Sequence, residues 1–205
     1  MTAHGPRVPP LPTDEWDEDA FAALRAAFGD EAADRLLAAG PDAPRVPNVL
    51  TTLMRHPKLT GPLLVYNAVL LNRPVLEPRW RELMILRVAW RTRSTYEWVQ
   101  HVRIAQACGI TPKEIDAIGH GSDADLWSPL DADLLAATDQ LIDRYRIDDA
   151  TWARLAERLD ERQLMEVAFV VGTYTCLAMA FNTFGIELDP DLDASIAPPL
   201  PEPSN

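Results

Sequence analysis

The sequence predicts an all-α fold. Apolar residues recur at helical spacing along most of the chain, and no segment sustains the alternation of apolar and polar residues that is typical of a strand. Start and stop signals for helices recur throughout. Hydrophobic residues make up 47% of the 205 residues and charged residues 24%, which is ordinary for one folded domain.

Each predicted helix is bounded by a cap residue, a proline or a glycine. In chain order the predicted helices span residues 15–28, 30–37, 48–55, 59–71, two within 79–107, one from 112, 129–145, 148 or 149 to 159, and 160–184.

The first helices depend on acidic or hydroxyl caps and on prolines. Thr13 or Asp14 can cap the first helix, and Asp30 can cap the second. Prolines then mark a connection, and Pro57 is predicted to stop the short third helix. The prolines that mark this connection are residues 41, 44 and 47.

The later helices have stronger signals. Residues 79–107 contain neither proline nor glycine, and we expect two helices that break near residues 93–95, with Ser94 as a possible N-cap. Gly109 is the type of residue that ends a helix, and Thr111-Pro112 and Ser128-Pro129 are start signals.

Residues 167–186 carry no charged side chain and are long enough to span a bilayer. They also contain glycine, threonine and asparagine. We therefore expect a helix buried on most sides, in a core or an oligomer interface, and no membrane partner.

Charge and cysteine content argue against several classes of protein and of binding site. Acids outnumber bases 31 to 19, so the formal charge is -12 and attraction to nucleic acid or anionic lipid is not expected. Two distant cysteines cannot form a disulfide-rich scaffold, a CxxC pair or a four-cysteine zinc site. No signal peptide is visible, so we expect a cytoplasmic protein.

The segment 79–103 departs from this acidic background, because it holds six arginines against two acids. Two interpretations remain open. The arginines can pair with acids elsewhere in the chain, or they can form a positive site for a small carboxylate, with Arg87 as the candidate ligand.

The same segment contains the candidate acid–base residues. Glu97 and His101 are four residues apart and share a helix face, with Ser94 one turn earlier. Glu82 lies on the preceding helix, and an antiparallel helix pair would bring it close to His101. A carboxylate that orients an imidazole supports general acid–base chemistry. The alternatives are a surface Glu–His pair and a metal site, but no HExxH occurs and we expect no metal.

The sequence resembles the carboxymuconolactone decarboxylase family, which includes alkylhydroperoxidase D-like proteins. The resemblance covers about residues 47–188 and is carried by residues 81–89, 96–105 and 174–185. It implies an all-α bundle of helical hairpins of the alkylhydroperoxidase D-like type, assembled as trimers or hexamers. The chain would then comprise a proline-rich arm (1–12), a helical extension (13–46), the family-like domain (47–188) and a tail (189–205).

The resemblance also implies chemistry. Peroxidase-type members carry a CxxC pair where this chain has Ser94 and Glu97, while Glu82 and His101 occupy the family's glutamate and histidine positions. Because a thiol peroxidase needs a thiolate, this difference argues against peroxidase activity. Decarboxylase-type members lack the pair and act on a carboxylated lactone.

The resulting prediction is a cofactor-independent lyase or decarboxylase for a small carboxylated compound. Glu82, Glu97 and His101 would transfer protons, with Arg87, Ser94, Trp98 and Tyr174 as substrate-binding candidates. One alternative is a non-catalytic, ligand-binding oligomer on the same fold. A redox enzyme that uses a distant thiol is less favoured.

Overall fold

The computed structural model describes residues 5–38 and 44–201. Within those ranges it contains ten α-helices, three short 3-10 turns and no β-strand, which confirms the all-α prediction. The helices are α1 (Glu18–Phe28), α2 (Asp30–Leu36), α3 (Asn48–Leu53), α4 (Pro57–Asn72), α5 (Pro78–Thr92), α6 (Thr95–Ala107), α7 (Pro112–Ala117), α8 (Pro129–Arg144), α9 (Asp149–Ala156) and α10 (Glu161–Phe184).

The predicted caps of the first two helices are wrong. Asp17, and neither Thr13 nor Asp14, caps α1 by accepting a hydrogen bond from the Ala20 amide at 2.9 Å. The chain is extended at Trp16, whose indole donates to the Leu11 carbonyl, and this delays the helix start. Asp30 is the first residue of α2 and follows Gly29, which has φ 80°.

The predicted role of Pro57 is also wrong. The third helix ends before it, at Leu53, and Pro57 is the first residue of α4. Proline fits this position because a first-turn amide needs no partner within the helix. Of the prolines that mark the connection, Pro41 lies outside the described residues.

The later start signals are confirmed. Thr111 forms a capping box with Glu114, and Ser128 and Asp148 cap α8 and α9. Asp160 accepts from the Gln163 amide at the start of α10. The break between α5 and α6 falls at Arg93, which has a left-handed backbone with φ 53°.

The chain forms two compact units, residues 1–73 with 183–189 and residues 74–182 with 190–205. In the first unit, α1 packs against α4 beside a core that contains Trp16, Leu24 and Met54. The division after Arg73 lies inside the predicted 47–188 domain, whose boundaries stay predictions.

In the second unit, α5 is the central helix and packs against α6 and α8. Every residue from Arg81 to Ala89 is buried, and so Glu82 lies among core side chains. The fully buried apolar residues of this stretch are Leu83, Met84, Ile85, Leu86, Val88 and Ala89.

The last helix, α10, is long and apolar enough to cross a membrane by length and composition, and half of its most apolar stretch is buried within the chain. Core helices share these properties. The exposed face of α10 carries large apolar side chains, including Met165 and Met179.

We expect Gly119→Ala to destabilise the second unit. A Cβ at this position would lie 2.6 Å from Cζ2 of Trp90, so the indole must move. The expected loss is about 1–3 kcal/mol of unfolding free energy, measured by denaturant titration. Gly5→Ala is the control, because nothing lies within 4 Å of its Cβ. Equal stability of the two variants would contradict the prediction.

Candidate active site

The turn between α5 and α6 brings two of the three predicted acid–base residues together. Arg93 reverses the chain, and the Ser94 amide donates to the Ala89 carbonyl of α5 at 3.0 Å. The two helices then pack side by side. Glu82 and His101, nineteen residues apart in sequence, come into contact.

Glu82 is fully buried and has two partners. Its Oε2 lies 2.7 Å from Nδ1 of His101, and its Oε1 accepts from Nε and Nη2 of Arg81 at 3.1 and 3.0 Å. Burial alone would raise the pKa of Glu82, but the hydrogen bond and charge of His101 and of Arg81 hold it below its ordinary value. Glu82 is therefore an anion at neutral pH.

His101 is oriented by two neighbours. Glu82 takes Nδ1, which leaves Nε2 as the nitrogen for proton exchange. The ring of Tyr174 on α10 packs against the imidazole, perpendicular to it, with centroids 4.9 Å apart. The Glu82 carboxylate and the Tyr174 ring together fix the plane of the imidazole. The carboxylate also determines that Nε2 is the nitrogen that exchanges a proton.

Glu97 has the opposite electrostatic character. It is 2% exposed, and neither carboxyl oxygen has a hydrogen-bond partner among the described residues. Burial raises the pKa of Glu97 from 4.5 to about 8. The nearby Ser94 hydroxyl opposes the rise, although it does not meet the geometry of a hydrogen bond to either carboxyl oxygen. At neutral pH the side chain is therefore mainly a neutral carboxylic acid, which can donate a hydrogen bond.

Ser94 and Glu97 also fail to form a local motif that their spacing favours. Ser-x-x-Glu at a helix start is the capping-box pattern, and Thr111 and Glu114 form that box completely in this chain. At α6, Ser94 makes no side-chain cap, and its hydroxyl oxygen is buried without a partner. Leaving such a group unsatisfied costs about 1–3 kcal/mol. The folded chain therefore carries this free-energy cost at both Ser94 and Glu97.

Residues 61–140 match the model of the carboxymuconolactone decarboxylase family. This part of the chain is similar to that family. It contains both helices of the site, with Glu82, Ser94, Glu97 and His101, while Tyr174 lies outside it.

Solved structures share the alkylhydroperoxidase D-like fold, as predicted. An uncharacterized peroxidase-related protein from Silicibacter sp. aligns with TM-score 0.72 and 14% identity over 94% of this chain and 97% of its own. The alkylhydroperoxidase AhpD core protein from Ralstonia eutropha aligns with TM-score 0.69 and 20% identity, over 92% and 95%. The debrominase Bmp8 aligns with TM-score 0.67 and 13% identity, over 89% and 92%. No curated protein sequence matches the chain.

Two predicted substrate-binding residues of this segment have their hydrogen-bond partners away from Glu82 and His101. Arg87 donates from Nε and Nη2 to Asp139, both at 2.8 Å, and from Nη1 to the Ile118 carbonyl at 2.7 Å. Trp98 donates from its indole to the Pro198 carbonyl at 2.7 Å. It lines a separate pocket of about 410 Å³ beside the C-terminal tail.

Three of the six arginines of the positive segment pair with acids elsewhere, which was one of the two interpretations, and Arg87 is one of them. Arg79 binds Glu114 and Asp131, and Arg91 binds Asp139 and Asp143. The charges of these three arginines are thus compensated within the chain.

Sequence reasoning missed Arg81 as a site residue. Adjacent residues on a helix point in different directions, so spacing did not predict its contact with Glu82. Arg81 is only 6% exposed, and buried arginines are rare unless paired. Its place in the family-like stretch 81–89 was the available signal.

Cys108 does not resemble a peroxidatic thiol. Burial raises its pKa, and the negative charge of Glu82 raises it further, with Arg81 opposing. A raised pKa keeps the sulfur protonated, whereas attack on a peroxide needs the thiolate. Among the described residues, no group of three His, Cys, Asp or Glu side chains is arranged to hold a metal ion.

Proposed function

We propose that this protein is a cofactor-independent lyase that decarboxylates a small, carboxylated, lactone-like compound. The observation that carries the proposal is the buried pair of Glu82 and His101, joined at 2.7 Å, with a neutral carboxylic acid at Glu97 on the same face of α6. One group can thus carry a proton to carbon while another stabilises charge on oxygen.

In the proposed reaction, the bond between the substrate carbon and its carboxylate breaks, and CO₂ leaves. The electron pair moves into the lactone carbonyl and forms an enolate. The carboxylic acid of Glu97 donates a hydrogen bond to the enolate oxygen. His101 then delivers a proton from Nε2 to the carbon, while Glu82 stabilises the imidazolium.

Arg87 has no role in the proposal, because Asp139 and the Ile118 carbonyl hold its guanidinium. The Ser94 hydroxyl offers a hydrogen-bond donor without full charge for the substrate carboxylate. A carboxylate held by neutral donors in a dry site loses CO₂ more readily than one paired with a cation, since ion pairing stabilises the starting state.

The experiment is a test of carboxylated lactones in deuterium oxide. We expect release of CO₂ and incorporation of one deuterium at the carbon that carried the carboxylate, both detected by NMR. A bell-shaped pH profile would accompany turnover. Saturable binding of these lactones without CO₂ release would instead favour the alternative, a non-catalytic binding protein on the same fold.

We also propose that the chain assembles as a homo-oligomer, a trimer or hexamer as the family resemblance implies. The exposed face of α10 supports this, because apolar and small side chains recur on it at spacings of three or four residues. These residues are Met165, Ala168, Phe169, Gly172, Cys176 and Met179.

Met179→Glu should therefore shift the protein toward monomers. The side chain is 65% exposed in the single chain, and a carboxylate placed there would be buried without a partner in an interface. Molar mass by light scattering is the measurement. Trp152→Glu, on the exposed surface of α9, is the control and should keep the wild-type mass. An unchanged mass in a Met165→Glu, Met179→Glu double variant would refute this face as the interface.

A further inference from the structure

The first turn of α6 carries Ser94 and Glu97 but lacks its side-chain cap. A contact from outside the helix is made by the residue that follows Glu97. The indole of Trp98, 1% exposed, donates to the Pro198 carbonyl at 2.7 Å and packs edge-on against Trp90, with ring centroids 5.5 Å apart.

The acceptor lies in a stiff part of the C-terminal tail. A 3-10 turn over Ala194–Ile196 is capped by Asp193 and precedes the sequence Pro198-Pro199-Leu200-Pro201. Prolines fix φ and donate no backbone hydrogen bond, so they present carbonyls on a rigid segment. Indole donors that bind such carbonyls are a common way to recognise proline-rich chains.

The same tetrapeptide occurs near the N-terminus, at Pro9-Pro10-Leu11-Pro12. There the Trp16 indole donates to the Leu11 carbonyl at 3.1 Å, and Arg55 donates from Nε to the Pro9 carbonyl at 2.6 Å. Each of the two Pro-Pro-Leu-Pro segments thus has a carbonyl that accepts from a tryptophan indole. This repetition indicates that the tail contact is a built attachment.

We propose that the C-terminal tail braces the active site, with Trp98 as a positioning residue. Pro198 holds Trp98, and Trp98 holds the first turn of α6 so that Ser94 and Glu97 face inward. The catalytic consequence rests on the proposed function, whereas the structural consequence does not.

Two arrangements compete at this turn. In the braced arrangement, the Ser94 hydroxyl and both Glu97 oxygens are buried and unpaired. In a capping box, the Ser94 hydroxyl would accept from the Glu97 amide, and the Glu97 carboxylate would lie at the helix N-terminus, where negative charge is favoured. Local hydrogen bonding favours the capping box, so the inward arrangement needs an external restraint.

Trp98→Phe in the full-length chain tests the brace, since it keeps an aromatic ring and removes the donor. The readout is the infrared band of the protonated Glu97 carboxyl, assigned by its loss in Glu97→Gln. We expect the titration midpoint of Glu97 to fall from about pH 8 by about one unit or more toward the ordinary value. The alkaline limb of turnover should move with it.

A second variant, Pro198→Gly with Pro199→Gly, loosens the tail without altering α6 and should shift the midpoint in the same direction. Trp127→Phe is the matched control, because it removes another buried indole bond, to the Gly121 carbonyl at 2.8 Å. The control should lose stability and keep the midpoint. Wild-type midpoints in folded Trp98→Phe and in the proline variant would overturn the brace. Absence of turnover with an intact midpoint shift would reject the proposed function alone.

Discussion

His101→Ala should reduce kcat for decarboxylation by about 10²–10⁴-fold, because the variant lacks the group that delivers the proton to carbon. The structure places this imidazole on the buried carboxylate of Glu82, 2.7 Å away, which fixes the ring. Glu82→Gln should lower kcat as well, since a neutral amide cannot stabilise the imidazolium. Steady-state kinetics on the lactone that wild-type protein consumes is the measurement.

Glu114→Gln is the matched control for the Glu82 variant. Glu114 also accepts hydrogen bonds from an arginine, Arg79, and its pKa is also lowered, where burial alone would raise it. It lies on α7 in a network of charged side chains that does not include His101. The control should lose some stability and retain kcat. A folded His101→Ala protein with wild-type kcat would eliminate the proposed mechanism.

Glu97→Gln should change how stability depends on pH. Burial raises the pKa of Glu97 to about 8 in the folded protein, against an ordinary value of 4.5. Below pH 4.5 both states hold the proton. Between about pH 4.5 and 8 the unfolded chain releases it and the folded chain does not, so unfolding becomes easier as pH rises. The slope is roughly 1.4 kcal/mol for each pH unit.

Denaturant titrations at pH 5, 6, 7 and 8 measure this effect. Wild-type protein should lose stability across the series, and Glu97→Gln should lack that component because an amide does not ionise. Ser94→Ala is a useful comparison, since it removes the neighbouring hydroxyl and keeps the carboxyl. Parallel pH curves for wild-type protein and Glu97→Gln would show that Glu97 ionises normally in the fold.

The central part of the site was predictable because helical geometry is local. Residues four apart share a helix face, so Glu97 and His101 could be paired from sequence, and the break near residues 93–95 implied that Glu82 lies on a neighbouring helix. The contact between Glu82 and His101 agrees with that expectation. Arg81 was missed because its contact depends on how its side chain bends back in the packed core.

Charge was harder to interpret than spacing. Arg87 stood out in the sequence as a cation in a positive segment, but its partner, Asp139, lies 52 residues away on α8. Pairing at such separation is set by how α5 and α8 pack, which no local pattern records. The same limit applies to Trp98, whose partner Pro198 is 100 residues distant.

The sequence by itself determined the helical class, most helix boundaries and the spacing of the acid–base residues, because helix periodicity, prolines and caps act over a few residues. Tertiary structure decided which of those residues meet and which protonation state each one holds. Glu82 and Glu97 are the same residue type in one family segment, and burial acts on both. Charged hydrogen-bond partners keep Glu82 an anion, whereas Glu97 lacks such partners and stays a neutral acid.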